Sequence, residues 1–91
     1  MAHNFKIYTH QAADNLHINL LGDFDGSSAF ELLNFLKDKS NSAKRIFIDT
    51  NNLKTIYPFG REVFDWNFSK LKEHRLRIQF VGLNAFQIVT S

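Results

Sequence analysis

Apolar and polar residues alternate through Leu16-His17-Ile18-Asn19-Leu20-Leu21. Leu16, Ile18 and Leu20 therefore share one face of an extended chain, and His17 and Asn19 share the other. A weaker alternation from Phe5 to Thr9 marks a shorter strand. The polar stretch from Gln11 to Asn15 is a turn, and its brevity predicts antiparallel pairing of the two strands. The period then changes. Ala29, Leu32, Leu33 and Leu36 recur at helical spacing, with Phe35 at the edge of the stripe. The preceding segment, Gly22 to Ser28, is a loop, and Ser28 with Glu31 stands at capping-box spacing. This first helix ends in the polar run Lys37 to Ser42.

Arg45-Ile46-Phe47-Ile48-Asp49 is apolar through its middle, which suits a central strand covered on both faces. Thr50 to Gly60 reads as a strand-to-helix loop. A second helix follows from Arg61 to His74, with Val63, Phe64, Phe68 and Leu71 inward. Trp66 projects well away from that stripe, at about 100° per residue. Arg75 to Gly82 forms a last strand, and Asn84 to Thr90 a short closing helix or tail. Strands alternating with helices predict parallel pairing through crossovers. The expected architecture is α/β: one domain over residues 1–91, with a four-stranded mixed sheet, two main helices and a short C-terminal helix.

Composition narrows the chemistry. A chain of 91 residues has a modest core, which its ten Phe enlarge. The formal charge of +2 is mild, and acidic residues interrupt the basic ones, so nucleic acid is not the expected partner. With no cysteine there is no disulfide, thiolate metal site or Cys nucleophile, as suits a reducing compartment. No apolar run resembles a signal peptide or reaches the roughly 20 residues of a membrane span. The expectation is a cytoplasmic protein without direct membrane insertion.

Catalytic and cofactor signatures are sparse. The four His, at 3, 10, 17 and 74, include no pair at helical ligand spacing. No nucleophile elbow, dinucleotide fingerprint or Walker loop occurs, and neither a metal nor a cofactor is expected. Asp23, Asp25 and Asp49 lie near predicted strand ends, where a carboxylate pair would serve acid–base chemistry. Their plainer roles are to shape the loop, cap the helix and end the strand. The loop before the second helix carries no acid or nucleophile at its end. It closes with Tyr57-Pro58-Phe59-Gly60, which is contact surface and a fixed turn.

Several segments together resemble the STAS domain family, named for sulphate transporters and anti-sigma factor antagonists. Leu20-Leu21-Gly22-Asp23-Phe24-Asp25 followed by Ala29 resembles its first hallmark. Ile46-Phe47-Ile48-Asp49 with Leu53, Thr55, Ile56 and Gly60 resembles its second, and Leu76 to Leu83 its last strand. The resemblance implies a partner-docking surface at the start of the second helix. There the family carries Asp-Ser-Ser-Gly, whose first serine is the phosphate acceptor in the anti-sigma antagonists. That position corresponds here to Pro58, which has no hydroxyl, and the second serine to Phe59; Gly60 is retained. Ser27, Ser28 and Thr55 are the hydroxyls nearby. The family's third helix looks cut short, since nine residues follow Gly82.

The expected function is a non-catalytic protein-binding module resembling an anti-sigma factor antagonist but lacking the phosphorylatable serine. Its expected contact residues are Tyr57, Pro58, Phe59, Gly60 and Trp66, with Asp23, Asp25 and Ser27 beside them. The expected partner is a regulatory protein, such as an anti-sigma kinase or another signalling protein, or a second copy of the chain. One alternative is an accessory subunit of a transport complex. A second is a small enzyme using Asp23, Asp25 or Asp49. A third is a nucleic-acid binder using Lys44, Arg45, Lys54, Arg61, Arg75 and Arg77.

Overall fold

The first two strands form a hairpin because the chain reverses over only two residues. In the computed structural model, which describes residues 4–39, 43–68 and 78–83, β1 (Lys6–Ala12) pairs antiparallel with β2 (Asn15–Phe24). Ala13 and Asp14 make the turn, Ala13 with a φ of 55°. Then come α1 (Gly26–Lys39), β3 (Arg45–Ile56), α2 (Pro58–Phe68) and β4 (Ile78–Val81). The sheet order is β1-β2-β3-β4, with β2, β3 and β4 parallel. The expected mixed four-stranded sheet with two main helices is therefore present. The expected C-terminal helix lies outside the described residues, as do the end of the second helix and residues 75–77 of the last strand.

The strand order decides which face is covered. β2, β3 and β4 succeed one another in one direction, so two crossovers of the same hand place α1 and α2 on the same side. That side holds the core. Leu16, Ile18 and Leu20 of β2, Ile46 and Ile48 of β3 and Ile78 of β4 are buried with Ala29, Leu32, Leu33 and Leu36 of α1. Phenylalanines tie α2 to the sheet. The fully buried Phe64 ring lies 6.1 Å from Phe24 and 5.4 Å from Phe80, both edge-on, and stacks on Phe68 at 5.0 Å. Burying one such ring contributes about 2–3 kcal/mol.

The opposite face corrects the expectation that β3 is covered on both sides. No described helix lies there, and Phe47 and Asp49 are only half-buried. Register partners form ranks across this open face. His10, His17, Phe47 and Gln79 make one, and Tyr8, Asn19, Asp49 and Val81 the next.

β3 is also longer than its apolar core predicts. Thr50 to Ile56, expected as loop, continues the strand, pairing Leu21 with Asn52, Gly22 with Leu53, Asp23 with Thr55 and Phe24 with Ile56. Two register irregularities interrupt the ladder and break the alternation that would have marked a strand. The polar residues here fasten neighbours. Thr50, fully buried, donates its hydroxyl to the Val81 carbonyl at 2.8 Å. The Asn51 side chain accepts from the Leu83 N–H at 2.8 Å, and the Asn52 amide donates to Asn19 at 3.2 Å.

Candidate functional site

The parallel pairing of β2 with β3 brings their exits to α1 and α2 side by side. At the first exit, Asp25 caps α1. Its carboxylate accepts the Ser28 N–H at 2.9 Å, and the Ala29 N–H donates to the Asp25 carbonyl at 2.9 Å. The buried Ser28 hydroxyl lies 3.0 Å from that carboxylate and 2.9 Å from the Asp23 carbonyl, closing the turn. The helix thus starts at Gly26, and Ser28 serves inside its first turn rather than as the cap that its spacing to Glu31 suggested.

At the second exit the backbone sets the turn. The Tyr57 N–H donates to the Phe24 carbonyl at 3.0 Å, and the Tyr57 carbonyl accepts the Arg61 N–H at 3.1 Å. Pro58 is the first residue of α2, where its missing N–H costs nothing and its fixed φ suits the helix. The Tyr57–Pro58 peptide is trans. α2 therefore begins three residues before the expected Arg61. Gly60 is buried where the two exits meet: a Cβ on it would stand 2.7 Å from the Phe24 carbonyl oxygen and 2.7 Å from the Asp25 carbonyl carbon. On the same seam, a Cβ on Gly26 would meet the Phe59 ring at 2.8 Å.

This arrangement turns aromatic side chains outward. Tyr57 and Pro58 are exposed, and Phe59 is 66% exposed with one ring edge against Gly26. Phe59 and Trp66, seven residues apart, share the side of α2 turned away from the buried Phe64 and Phe68, while Val63 is half-buried against the core as expected. Trp66 is 70% exposed, two turns or about 10 Å from Phe59 along the axis. Phe30, half-exposed one turn beyond Gly26 on α1, is a fourth aromatic that the apolar stripe of that helix did not single out. Its signal was in the sequence, since Phe30 falls beside the stripe formed by Ala29, Leu32, Leu33 and Leu36.

The other expected residues divide. Asp25, the exposed Ser27, Tyr57, Pro58, Phe59 and Gly60 come together at the paired exits. Asp23 is held by Asn4, whose side-chain oxygen accepts the Asp23 N–H at 3.1 Å and whose amide lies 3.4 Å from the Asp23 carboxylate. Asp49 does not join Asp23 and Asp25. It pairs with Asn19, four residues short of Asp23, or about 13 Å along β2. It was expected at a strand end because β3 was read as ending there. Its carboxylate instead accepts the Asn51 N–H at 2.8 Å on the open face. No described helix is long and apolar enough to cross a membrane.

No protein-family model matches the sequence, nor does any curated protein. Solved structures do share the fold. A STAS domain, an antisigma-factor antagonist from Rhodobacter sphaeroides, superposes with a TM-score of 0.69 at 16% identity, covering 94% of this chain and 96% of that one. A protein of the DUF3478 family with a SpoIIAA-like fold, from Shewanella loihica PV-4, gives 0.56 at 15% identity, over 96% of this chain and 72% of that one. Part of a larger protein, Mglu, gives 0.66 at 16% identity over 80% of this chain, which spans only 18% of the Mglu chain. The fold is that of STAS and SpoIIAA-like domains.

Proposed function

We propose that this chain is a non-catalytic docking module that binds a regulatory protein through Tyr57, Pro58, Phe59 and Trp66, with Phe30 and the turn from Asp23 to Ser28 beside them. The observation that carries this reading is the exposed pair Phe59 and Trp66 on one side of α2, adjoining the exposed Tyr57 at the helix start. Single exposed apolar residues are common, but a set on one face is what protein interfaces use. Aromatic anchors of this kind dominate interface energies. Pro58 and Phe59 stand where the STAS resemblance puts the two serines of a phosphorylated turn. Such a turn would gain about −1.5 to −2 charges on phosphorylation. An aromatic-Pro-aromatic turn presents the same apolar surface at all times, so control of the complex falls to the partner. Asp49 lies about 13 Å along the sheet from Asp23, and Asp25 is committed to its cap.

The test joins Tyr57→Ala, Phe59→Ala and Trp66→Ala in one variant and measures affinity for the protein that the wild type captures. A loss of about a hundredfold or more is expected, as hot-spot truncations cost about 2 kcal/mol each. Tyr8→Ala, on the open sheet face, is the matched control and retains affinity. A folded triple variant that binds as the wild type does would sink the reading.

A further inference from the structure

A second site lies on the other side of the sheet, away from both helices. A cleft of about 370 Å³ is lined there by Tyr8, His10, His17, Asn19, Phe47 and Asp49, among others. That volume falls at the small end of the range for small-molecule sites, about 300–1,000 Å³.

Its walls are planar. The His17 imidazole stacks on the Phe47 ring at 5.2 Å with 21° between planes, and His10, opposite His17 across the hairpin, tilts over it at 6.4 Å. Tyr8 is 55% exposed in the neighbouring rank. Its polar groups have hydrogen-bonding capacity to spare. Asp49 uses Oδ1 to accept the Asn51 N–H, and its Oδ2 has no partner among the described residues. The Asn19 side-chain oxygen is held by Asn52, which leaves its Nδ2 free to donate. The Tyr8 hydroxyl and the ring nitrogens of His10 and His17 have no hydrogen-bond partner among the described residues either. Rings on such a surface take a flat ligand by stacking. A carboxylate accepts hydrogen bonds and donates none, so the ligand must present a donor to it, and an amino group on a stacked ring does so in the ring plane. The neighbouring Asn19 amide then meets a ring nitrogen.

We infer that the open sheet face binds a planar amino-substituted nitrogen heterocycle of one or two rings. The rings stack on the His17–Phe47 platform, the amino edge donates to Asp49, and a ring nitrogen accepts from Asn19. This site is independent of the docking surface on α2, and neither requires the other.

The experiment follows backbone amides of the full chain by NMR during titration with 2-aminobenzimidazole. Benzimidazole, the same rings without the amino group, is the comparison probe. The expected result is a saturable shift of the Tyr8, His17, Phe47 and Asp49 signals, with benzimidazole bound about tenfold or more weakly. Asp49→Asn keeps an oxygen for the Asn51 N–H and removes the charge. It lowers affinity for 2-aminobenzimidazole by a similar factor and lowers that for benzimidazole less. Should that variant fail to fold, Tyr8→Ala replaces it and weakens both probes about threefold or more. Absence of saturable shifts at millimolar probe, equal affinity for the two probes, or shifts confined to Tyr57, Phe59 and Trp66 would overturn the inference.

Discussion

The two strand-to-helix exits stand against each other and start their helices by opposite means. At the β2 exit side chains do the fastening: the Asp25 carboxylate takes the Ser28 N–H, and the buried Ser28 hydroxyl closes on Asp23 and Asp25. At the β3 exit the residue in the capping place is Tyr57, whose phenol cannot reach back to cap. The backbone bond to Phe24, the fixed φ of Pro58 and the close approach at Gly60 set that turn instead. A turn held by its backbone leaves its side chains unoccupied. Asp25 and Ser28 are spent on structure, whereas Tyr57 and Phe59 face solvent and are available to a partner.

The sharpest way to break this contrast is at the seam. Gly60→Ala places a Cβ within 2.7 Å of the Phe24 oxygen and the Asp25 carbonyl carbon, both backbone atoms that cannot swing aside. The exits must separate or α2 must shift. We expect a loss of at least about 2 kcal/mol even after the better helix propensity of Ala. For a domain of this size that lowers the melting temperature by about 8–16 °C. Gly26→Ala is the counter-case, because its Cβ meets only the Phe59 ring, which can turn outward. A Gly60→Ala protein that melts with the wild type would show that the exits are not in contact as described.

Asp25→Ala tests the first exit and carries a smaller effect. It removes the cap and leaves the buried Ser28 hydroxyl its bond to the Asp23 carbonyl, at 2.9 Å. A lost N-cap costs about 0.5–2 kcal/mol, so chemical denaturation should give a loss of about 1–2 kcal/mol. Asp25→Asn, which keeps a capping oxygen, should recover most of it. The corresponding change at the second exit, Tyr57→Ala, should move stability less than Asp25→Ala does, since no cap is lost there. Equal losses at both positions would erase the comparison.

The two exits also differ in how well they could be read from the chain. Asp25 was legible as a helix cap, although capping-box spacing pointed to Ser28, three residues later. The end of β3 did not. Thr50, Asn51 and Asn52 look like loop residues because they are polar, yet each bonds to a neighbouring strand or its extension, and the register breaks hide the alternation. Reading them as loop moved Asp49 to a strand end and suggested a carboxylate cluster. Helical spacing alone showed that Trp66 faces outward, but nothing local showed that Phe59 rests on Gly26, a contact between residues 33 positions apart. The open face was equally hidden. Phe47 between Ile46 and Ile48 reads as a strand covered twice, and only the one-way order of β2, β3 and β4 puts both described helices on one side.

Pro58→Ser is the mildest change and bears directly on what the second exit has become. The ring is exposed and its position, the first of α2, accepts serine readily, so no packing is lost. What is lost is the restriction that proline places on the unfolded chain, about 0.4–1 kcal/mol. A melting temperature lower by about 2–8 °C is expected. Tyr57 and Phe59 keep their backbone positions, because the Tyr57 bond to Phe24 and the Gly60 contact do not involve the ring. Partner affinity should therefore stay within about twofold of wild type in the absence of any kinase, a change of under about 0.5 kcal/mol. If Pro58→Ser instead abolishes binding while the fold survives, the proline ring is itself an anchor. The second exit would then differ from the first by a rigid contact as well as by the lack of a cap.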